Sequence, residues 1–159
     1  MPTQGNSVAS GKLEKAKLIS DESETIEFMF NPTELTFDYS VNVNSEAGAR
    51  TTSGLPKVSF AYRDPCTLSI SNIIFDTYEA GTSVLDYINK LKKAVQFSSK
   101  GKSAEKRPPF YIFAWGQQQY IRCFVTRLSY RLTRFLSDGT PVQARVDLTL
   151  TEIDKSTGK

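Results

Sequence analysis

The chain of 159 residues contains no histidine. This absence excludes Ser-His-Asp and Cys-His nucleophile systems, histidine-ligated metals and imidazole acid–base catalysis. An enzyme built from this sequence would depend on carboxylates, lysine, tyrosine or cysteine alone. Asp76, Glu79 and Asp86 lie near a predicted strand-to-helix junction, where they more simply serve the turn and the helix start. We therefore predict no catalytic residue, no metal site and no cofactor.

Cysteine and long apolar runs are also scarce. Cys66 and Cys123 each lie inside a strand-like run, and we interpret them as buried thiols rather than a disulfide or a metal pair. No stretch of eighteen apolar residues predicts a membrane-spanning helix. The N-terminus, "MPTQGNSVASGK", lacks the apolar core of a secretory signal. We expect no direct membrane insertion.

The charge balance gives little support to nucleic-acid binding. The net charge is +3, from 20 basic and 17 acidic residues. A basic connector at 90–107 holds seven lysines and arginines, but aromatic residues do not interleave with them as a stacking platform requires. A polyanion or nucleic-acid-binding module using this connector is the alternative function; the main expectation is a protein that binds no nucleic acid.

Alternation of apolar and polar residues dominates the chain and predicts half-buried β-strands. The predicted strands are 13–20, 25–30, 35–43, 66–75, 110–116, 120–132 and 142–152. The last has an apolar face of Val142, Ala144, Val146, Leu148 and Leu150, and its polar face includes Gln143, Arg145, Asp147 and Thr149. The alternation of 66–75 breaks near Asn72, which predicts a bulge or a strand end.

Three other segments interrupt these strands. Residues 44–57 are rich in Gly, Ser and Thr, and we interpret them as a long loop. Residues 82–97 have helical periodicity, with Thr82 or Ser83 available as a cap and lysines toward the end. Asp-Gly within 137–141 predicts a hairpin turn. The sum is a mainly β (α+β) fold, an antiparallel β-sandwich or barrel of about seven strands with one flanking helix.

The strand at 120–134 contains four arginines, Arg122, Arg127, Arg131 and Arg134. By simple parity Arg122 faces opposite to Arg127 and Arg131, so that no continuous arginine row is expected, and pairing with Asp147 or Glu152 across the hairpin is favoured. Trp115 is either a buried strand-end residue or an interface anchor.

Several stretches occur in an order that resembles a known family: "FMFNPTELTF", "LSISNIIFDTYEAGTSVLDYINKL", "RPPFYIFAWG" and "YRLTRFLSDGTPVQARVDLTLTE". Together they resemble the tube-type domain of contractile injection systems, the phage-tail-like particles of bacteria. The residues that carry this resemblance are Phe30, Asn31, Pro32, Glu34, Phe75, Asp76, Pro108, Pro109, Trp115, Gly116, Asp138, Gly139 and Pro141.

The resemblance implies a structural subunit of the tail-tube type. Its members form rings of six copies, and the implied role is a baseplate or tube-initiator ring that links a central spike to the inner tube. The implied partners are further copies of the chain, inner tube proteins, the spike and other baseplate proteins. In that setting Gln143, Arg145, Asp147 and Thr149 would face a lumen, and the loop at 44–57 would reach a neighbouring subunit.

The resemblance covers about residues 12–153. We expect a disordered lead at 1–11, a tube-type domain at 12–153 and a disordered tail at 154–159. Longer members carry a LysM-type peptidoglycan-binding module after the tube domain, and the expectation here is a chain without it. Assembly is expected in the bacterial cytoplasm, as part of a particle.

Overall fold

The computed structural model describes residues 12–20, 22–97 and 107–154. Their strands, in chain order, are β1 Lys17–Ile19, β2 Ile26–Glu27, β3 Thr36–Asp38, β4 Val41–Arg50, β5 Pro56–Arg63, β6 Thr67–Asp76, β7 Tyr111–Trp115, β8 Gln118–Phe135 and β9 Pro141–Glu152. One helix, α1 Leu85–Ala94, lies between β6 and β7. The mainly β fold with a single flanking helix is therefore confirmed for the described part of the chain.

The strands form two antiparallel sheets. Seven of them make a sheet in the order β2-β1-β7-β8-β9-β6-β3, and β4 and β5 pair only with each other. The three longest strands of the large sheet, β8, β9 and β6, are adjacent and carry most of its pairing. The large sheet is sandwich-like and does not close into a barrel, which decides between the two predicted forms.

One face of the large sheet holds the core. Along β9 every second residue from Val142 to Leu150 is buried, and the residues between them are only partly buried. The predicted facing of this strand is thus confirmed. Helix α1 covers part of the core face with Ile88 and Leu91. Because the sheet curls, the region after β2 meets the end of β6, where the Asp76 amide donates to the Met29 sulfur at 3.1 Å.

The bulge predicted near Asn72 is confirmed. The pairing of β6 with β9 shifts between Ile70 and Ile73, and Asn72 has φ of 58°. Its left-handed backbone lets the strand resume with Ile73 and Phe75 directed into the core, although Ile70 was the previous buried residue. An asparagine tolerates this conformation better than most residues with a Cβ atom.

The prediction of a loop at 44–57 was wrong. These residues form most of a hairpin in which β4 and β5 pair from Val41↔Arg63 to Arg50↔Pro56. The predicted strand 35–43 is also broken in two, since β3 ends at Asp38 and β4 begins at Val41. Tyr39, Val41 and Val43 are exposed, not buried as a single core-facing strand requires.

Two smaller boundaries differ from prediction. In the segment 25–30 only Ile26–Glu27 is strand; Phe28 is buried, whereas Phe30 is exposed. The helix is shorter than the predicted 82–97, and the Ser83 hydroxyl accepts a hydrogen bond from the Leu85 amide at 3.2 Å.

The predicted lead at 1–11, residues 98–106 of the basic connector and most of the tail lie outside the described residues. Of the tail, Asp154 is described, and its carbonyl oxygen accepts a hydrogen bond from Arg122 at 2.7 Å. The helix of the described part is too short and too polar to cross a membrane. Cys66 and Cys123 are free and buried, as predicted, and burial raises the pKa of the Cys123 thiol to about 12.

Candidate assembly surfaces

Two residues of the predicted family motifs fix the N-terminal segment to the sheet. The Asn31 side chain accepts a hydrogen bond from the Ala16 amide and donates one to the Glu14 carbonyl, both at 2.9 Å. The Trp115 indole N–H donates to the same Glu14 carbonyl at 3.1 Å. Pro32, which follows Asn31, is buried. Asn31 therefore anchors the segment that precedes β1. Trp115, at the end of β7, is partly buried, and its role as an interface anchor stays a prediction.

A second group of motif residues attaches the segment before the helix to the start of β9. The Asp76 carboxylate accepts hydrogen bonds from the Tyr78 amide at 2.9 Å and from the Gln143 side chain at 2.8 Å. These donors hold the pKa of the carboxyl below its ordinary value. The Thr77 amide donates to Val142 O at 2.7 Å, and the Val84 amide to Pro141 O at 2.9 Å. Two motifs that are distant in sequence thus form one structural joint.

The predicted hairpin turn between β8 and β9 is confirmed. The Asp138 carboxylate accepts a hydrogen bond from the Thr140 amide at 2.9 Å, which lowers the pKa of that carboxyl. Gly139 has φ of 90°, a conformation that a side chain disfavours. This turn starts β9 at Pro141.

The remaining motif residues have separate roles. Phe75 is buried and its ring packs 5.6 Å from that of Tyr87. Gly116 begins the turn between β7 and β8 with φ of 62°. Pro108 and Pro109 are partly buried before β7. Glu34 is exposed, and no contact in the described residues explains its place in the motif. Nearly all the motif residues are thus structural, and they do not converge on a cleft.

The carboxylates that were candidates for a site do not form one. Asp76 belongs to the joint just described, and Asp86 lies in the first turn of α1. Among the described residues no group of three or more carboxylates or cysteines is placed to hold a metal ion. The described residues do present uncovered surfaces.

The first surface, here called the polar face, is the side of β8, β9 and β6 that points away from the core. Its cross-strand rows follow from the pairing. They are Asp76–Gln143–Arg134, Ile74–Arg145–Arg131, Asp147–Ser129, Ser69–Thr149–Arg127 and Thr67–Thr151–Phe124, and at the bulge the Asn72 amide donates to Asp147. No strand or helix of the described chain covers these rows. All four residues predicted to face a lumen lie on this face, although Gln143 is also part of the joint with Asp76.

The prediction that the arginines of β8 face opposite ways was wrong. The pairing with β9 shifts between Val125 and Arg127, so that Thr126 is an extra residue and the parity changes. Arg122, Arg127 and Arg131 consequently share the polar face. The signal was present in the sequence, because Thr126 and Arg127 form a polar pair between the inward-facing Val125 and Leu128.

The predicted arginine partners also differ. Asp147 accepts a hydrogen bond from the Asn72 amide at 2.8 Å, and Glu152 forms an ion pair with Arg63 at 2.9 Å. Arg134 lies 3.5 Å above the centroid of the Tyr78 ring. Within the described residues Arg127 and Arg131 have no ion pair. The polar face therefore keeps unneutralised guanidinium groups.

The second surface is the β4–β5 hairpin, here called the arm. Val43 lies directly opposite Phe60, and Ser45 opposite Val58; Val41 shares their side of the arm. Phe60 is 74% exposed and Val41 55%. The base of the arm is fastened by the Arg63–Glu152 ion pair and by a Ser40–Asp64 hydrogen bond of 2.7 Å. An isolated two-stranded hairpin is marginally stable in water, so an apolar strip here favours a binding partner.

The third feature is a pair of open strand edges. Strand β7 pairs with β8 only as far as Tyr111↔Cys123, so residues 124–135 of β8 have β9 alone as a described neighbour. On the other side, β3 pairs with residues 67–69 of β6, and residues 70–75 have no described strand beside them on that edge, whereas the Asp76 amide donates to the Met29 sulfur. Open edges of this length present unpaired backbone groups that can join another chain.

A comparison with known protein families matches residues 11–159 to one of them, described as contractile injection system tube protein. No curated protein matches the chain. The family match includes every strand of the described sheet, the helix and the arm.

Proposed function

The chain belongs to the contractile injection system tube protein family, and from that premise we propose that it is a structural ring subunit without enzymatic activity. Its specific place is the baseplate or tube-initiator ring, between the central spike and the first layer of inner tube. The observation that supports a ring is the pair of open strand edges on β8 and β6. These edges lie at opposite sides of the three adjacent strands β8, β9 and β6, here called the block.

The geometry of that block favours ring closure. Strands β8 and β6 both run antiparallel to β9, so they run in the same direction. When copies are related by rotation about a ring axis, the β6 edge of one copy meets the β8 edge of the next in parallel orientation. Contacts between two different patches close into a ring when the rotation is suitable. The resemblance of the sequence to tube proteins gives six as the expected number of copies.

The two faces of the block are suited to the two sides of such a ring wall. The apolar face is already covered by the core and by α1, whereas the polar face is uncovered. A continuous ring of these blocks therefore presents the polar face to a water-filled channel. Gln143, Arg145, Asp147 and Thr149 are the β9 residues that would line it.

The arm supplies a second contact between copies. Its apolar strip is uncovered in the single chain, and burial of apolar area stabilises association by about 25 cal/mol per Å² before the costs of binding. A neighbouring copy of the chain, in the same ring or in the adjacent layer, is the partner that we propose for it. The spike, inner tube proteins and other baseplate proteins are the further partners.

The position in the particle is tested by imaging. A tag fused after Lys159 is expected to appear by negative-stain electron microscopy at the spike end of the tube. Labels along the entire tube would show that the chain is the main tube subunit, and an unlabelled particle would contradict both positions.

A further inference from the structure

The polar face has an excess of positive charge that its own residues do not neutralise. Its five rows contain the guanidinium groups of Arg127, Arg131, Arg134 and Arg145 and two carboxylates, Asp76 and Asp147. Asp76 accepts hydrogen bonds from Tyr78 and Gln143, and Asp147 accepts one from the Asn72 amide. The five rows therefore carry an excess of two positive charges, from four guanidinium groups against two carboxylates.

The strongest anomaly is the cross-strand pair Arg131↔Arg145. Cβ atoms of directly opposed residues are about 5 Å apart, and like charges in such a pair destabilise a sheet. One nitrogen of Arg145 donates to Asn72 at 2.8 Å, which leaves most of its five N–H donors for another acceptor. Arg131 is exposed. Two guanidinium groups so placed can clamp a single oxyanion between them.

We propose that the polar face binds an acidic polypeptide segment in extended conformation, with a carboxylate held between Arg131 and Arg145. The inference deepens the proposed function and rests on it, because the face that would line the channel is the face that binds. It adds that the ligand of the channel wall is negatively charged and that it is a polypeptide.

The spacing of the arginines supports an extended peptide. A strand rises about 3.4 Å per residue, which separates Arg127 from Arg131 by about 13 Å. Carboxylates at alternate positions of an extended peptide recur about every 7 Å. Every second carboxylate of such a peptide therefore lies beside an arginine of β8.

Nucleic acid fits the same face less well. Binding of single strands combines basic residues with aromatic rings on which bases stack. In the four rows of the described face from Asp76–Gln143–Arg134 to Ser69–Thr149–Arg127 there is no aromatic residue. The nearest rings on this face are Phe124 in the fifth row and Phe135 opposite Pro141, and the Tyr78 ring is covered by the Arg134 guanidinium; none of them lies in the row of Arg131 and Arg145.

The test uses the complete purified chain and fluorescence anisotropy at low salt. The probe is a labelled ten-residue peptide in which glutamate alternates with serine, and the comparison probes are its lysine counterpart and a thymidine oligonucleotide of equal charge. We expect the glutamate peptide to bind, the lysine peptide not to bind and the oligonucleotide to bind more weakly. The double variant Arg131→Gln, Arg145→Gln is expected to weaken peptide binding at least about tenfold, since charge-assisted hydrogen bonds are lost.

The matched control is Lys90→Gln, Lys93→Gln, which removes the same charge from the exposed side of α1. Its peptide affinity is expected to remain within about twofold of the original. An equal loss in the control would show that only net charge matters and would overturn the proposal. Tighter binding of the oligonucleotide through the same arginines would make nucleic acid the partner, and no peptide binding at low salt would also overturn it.

Two readouts keep folding and assembly separate from binding. The single variant Arg131→Gln removes no described ion pair, so it should retain the melting temperature of the original protein. It should still weaken the binding of the glutamate peptide. Light scattering on the same samples reports ring formation. A ring that forms without peptide binding contradicts this inference alone, whereas peptide binding without a ring contradicts the proposed function.

Discussion

At the scale of single residues, the motifs that resemble the family act through the backbone groups that they bind. Asn31 and Trp115 converge on the Glu14 carbonyl, and Asp76 connects the segment before the helix to Gln143. Asn31 and Trp115 thereby fasten the segment that precedes β1, and Asp76 fastens the end of β6 to the start of β9.

Asn31→Ala tests this anchor. We expect the free energy of unfolding to fall by about 1–3 kcal/mol, because the partly buried Ala16 amide loses its acceptor and the Glu14 carbonyl keeps only the Trp115 donor. Denaturant unfolding of the isolated chain measures it. Asn44→Ala, on the exposed arm, is the control and should change the value by less than about 0.5 kcal/mol. Equal effects of the two substitutions would contradict the anchoring role.

Asp76 gives a prediction about pH. Its pKa lies below the ordinary value of 3.8, because the Tyr78 amide and then the Gln143 side chain donate to the carboxylate. A carboxyl with a depressed pKa in the folded state stabilises the protein above its unfolded pKa, and this contribution is lost as the pH falls through the folded value. We expect stability to decline below about pH 4, with a shallower decline in Asp76→Asn. Thermal unfolding between pH 2 and 7 would contradict this if both proteins gave the same slope.

Leu148 and Thr149 test the two faces of β9. Leu148→Asp is expected to cost roughly 3 kcal/mol or more, because it buries an unpaired charge. Thr149→Asp places its carboxylate on the polar face, in register with Arg127, and should change stability by less than about 0.5 kcal/mol. Unfolding of the isolated chain by the second substitution would show that the facing is wrong.

At the scale of elements, the molecule is a three-stranded block with open edges and an arm that projects from it. The block has one face covered by core and helix and one face uncovered. The arm contacts the sheet at its base through Arg63 and Glu152. The open strand edges and the apolar strip are uncovered in the single chain, which favours a partner that pairs the edges and covers the strip.

The arm gives a prediction that separates stability from assembly. The double variant Val43→Ser, Phe60→Ser should leave the unfolding of the single chain nearly unchanged, because both side chains are exposed, and it should prevent the chain from joining other copies. Light scattering and denaturant unfolding measure the two properties. The variant Asn44→Ala, Ser59→Ala, on the opposite side of the arm, should assemble normally. Assembly by the first variant would exclude the apolar strip as an interface.

The sequence was most informative where the two faces of a strand differ. Strand β9 and the bulge at Asn72 follow from alternation, because one face is buried and the other is not. The arm was missed because residues 44–57 show no alternation, although Val58, Phe60 and Tyr62 alternate with smaller residues along β5 and mark a strand that the prediction left out. The facing of the arginines was missed because one bulge at Thr126 reverses parity for the rest of β8, and simple parity assumes a regular strand.

At the scale of the whole molecule, three observations agree with the proposed ring of copies. They are the membership in the tube protein family, the open strand edges and the uncovered polar face. A single copy exposes the backbone edge of β8, the edge of β6 and the apolar strip of the arm. In the ring that we propose, neighbouring copies cover the edges and can cover the strip, and the polar face forms an arginine-rich channel wall.

The most direct test is a cryo-electron microscopy map of the assembled particle that resolves β-strands in the layer formed by this chain. We predict a ring in which the β6 edge of each copy lies beside the β8 edge of the next, with Arg145 and Thr149 directed toward the channel. A ring whose polar face points outward, or copies whose β6 and β8 edges remain apart, would contradict the account.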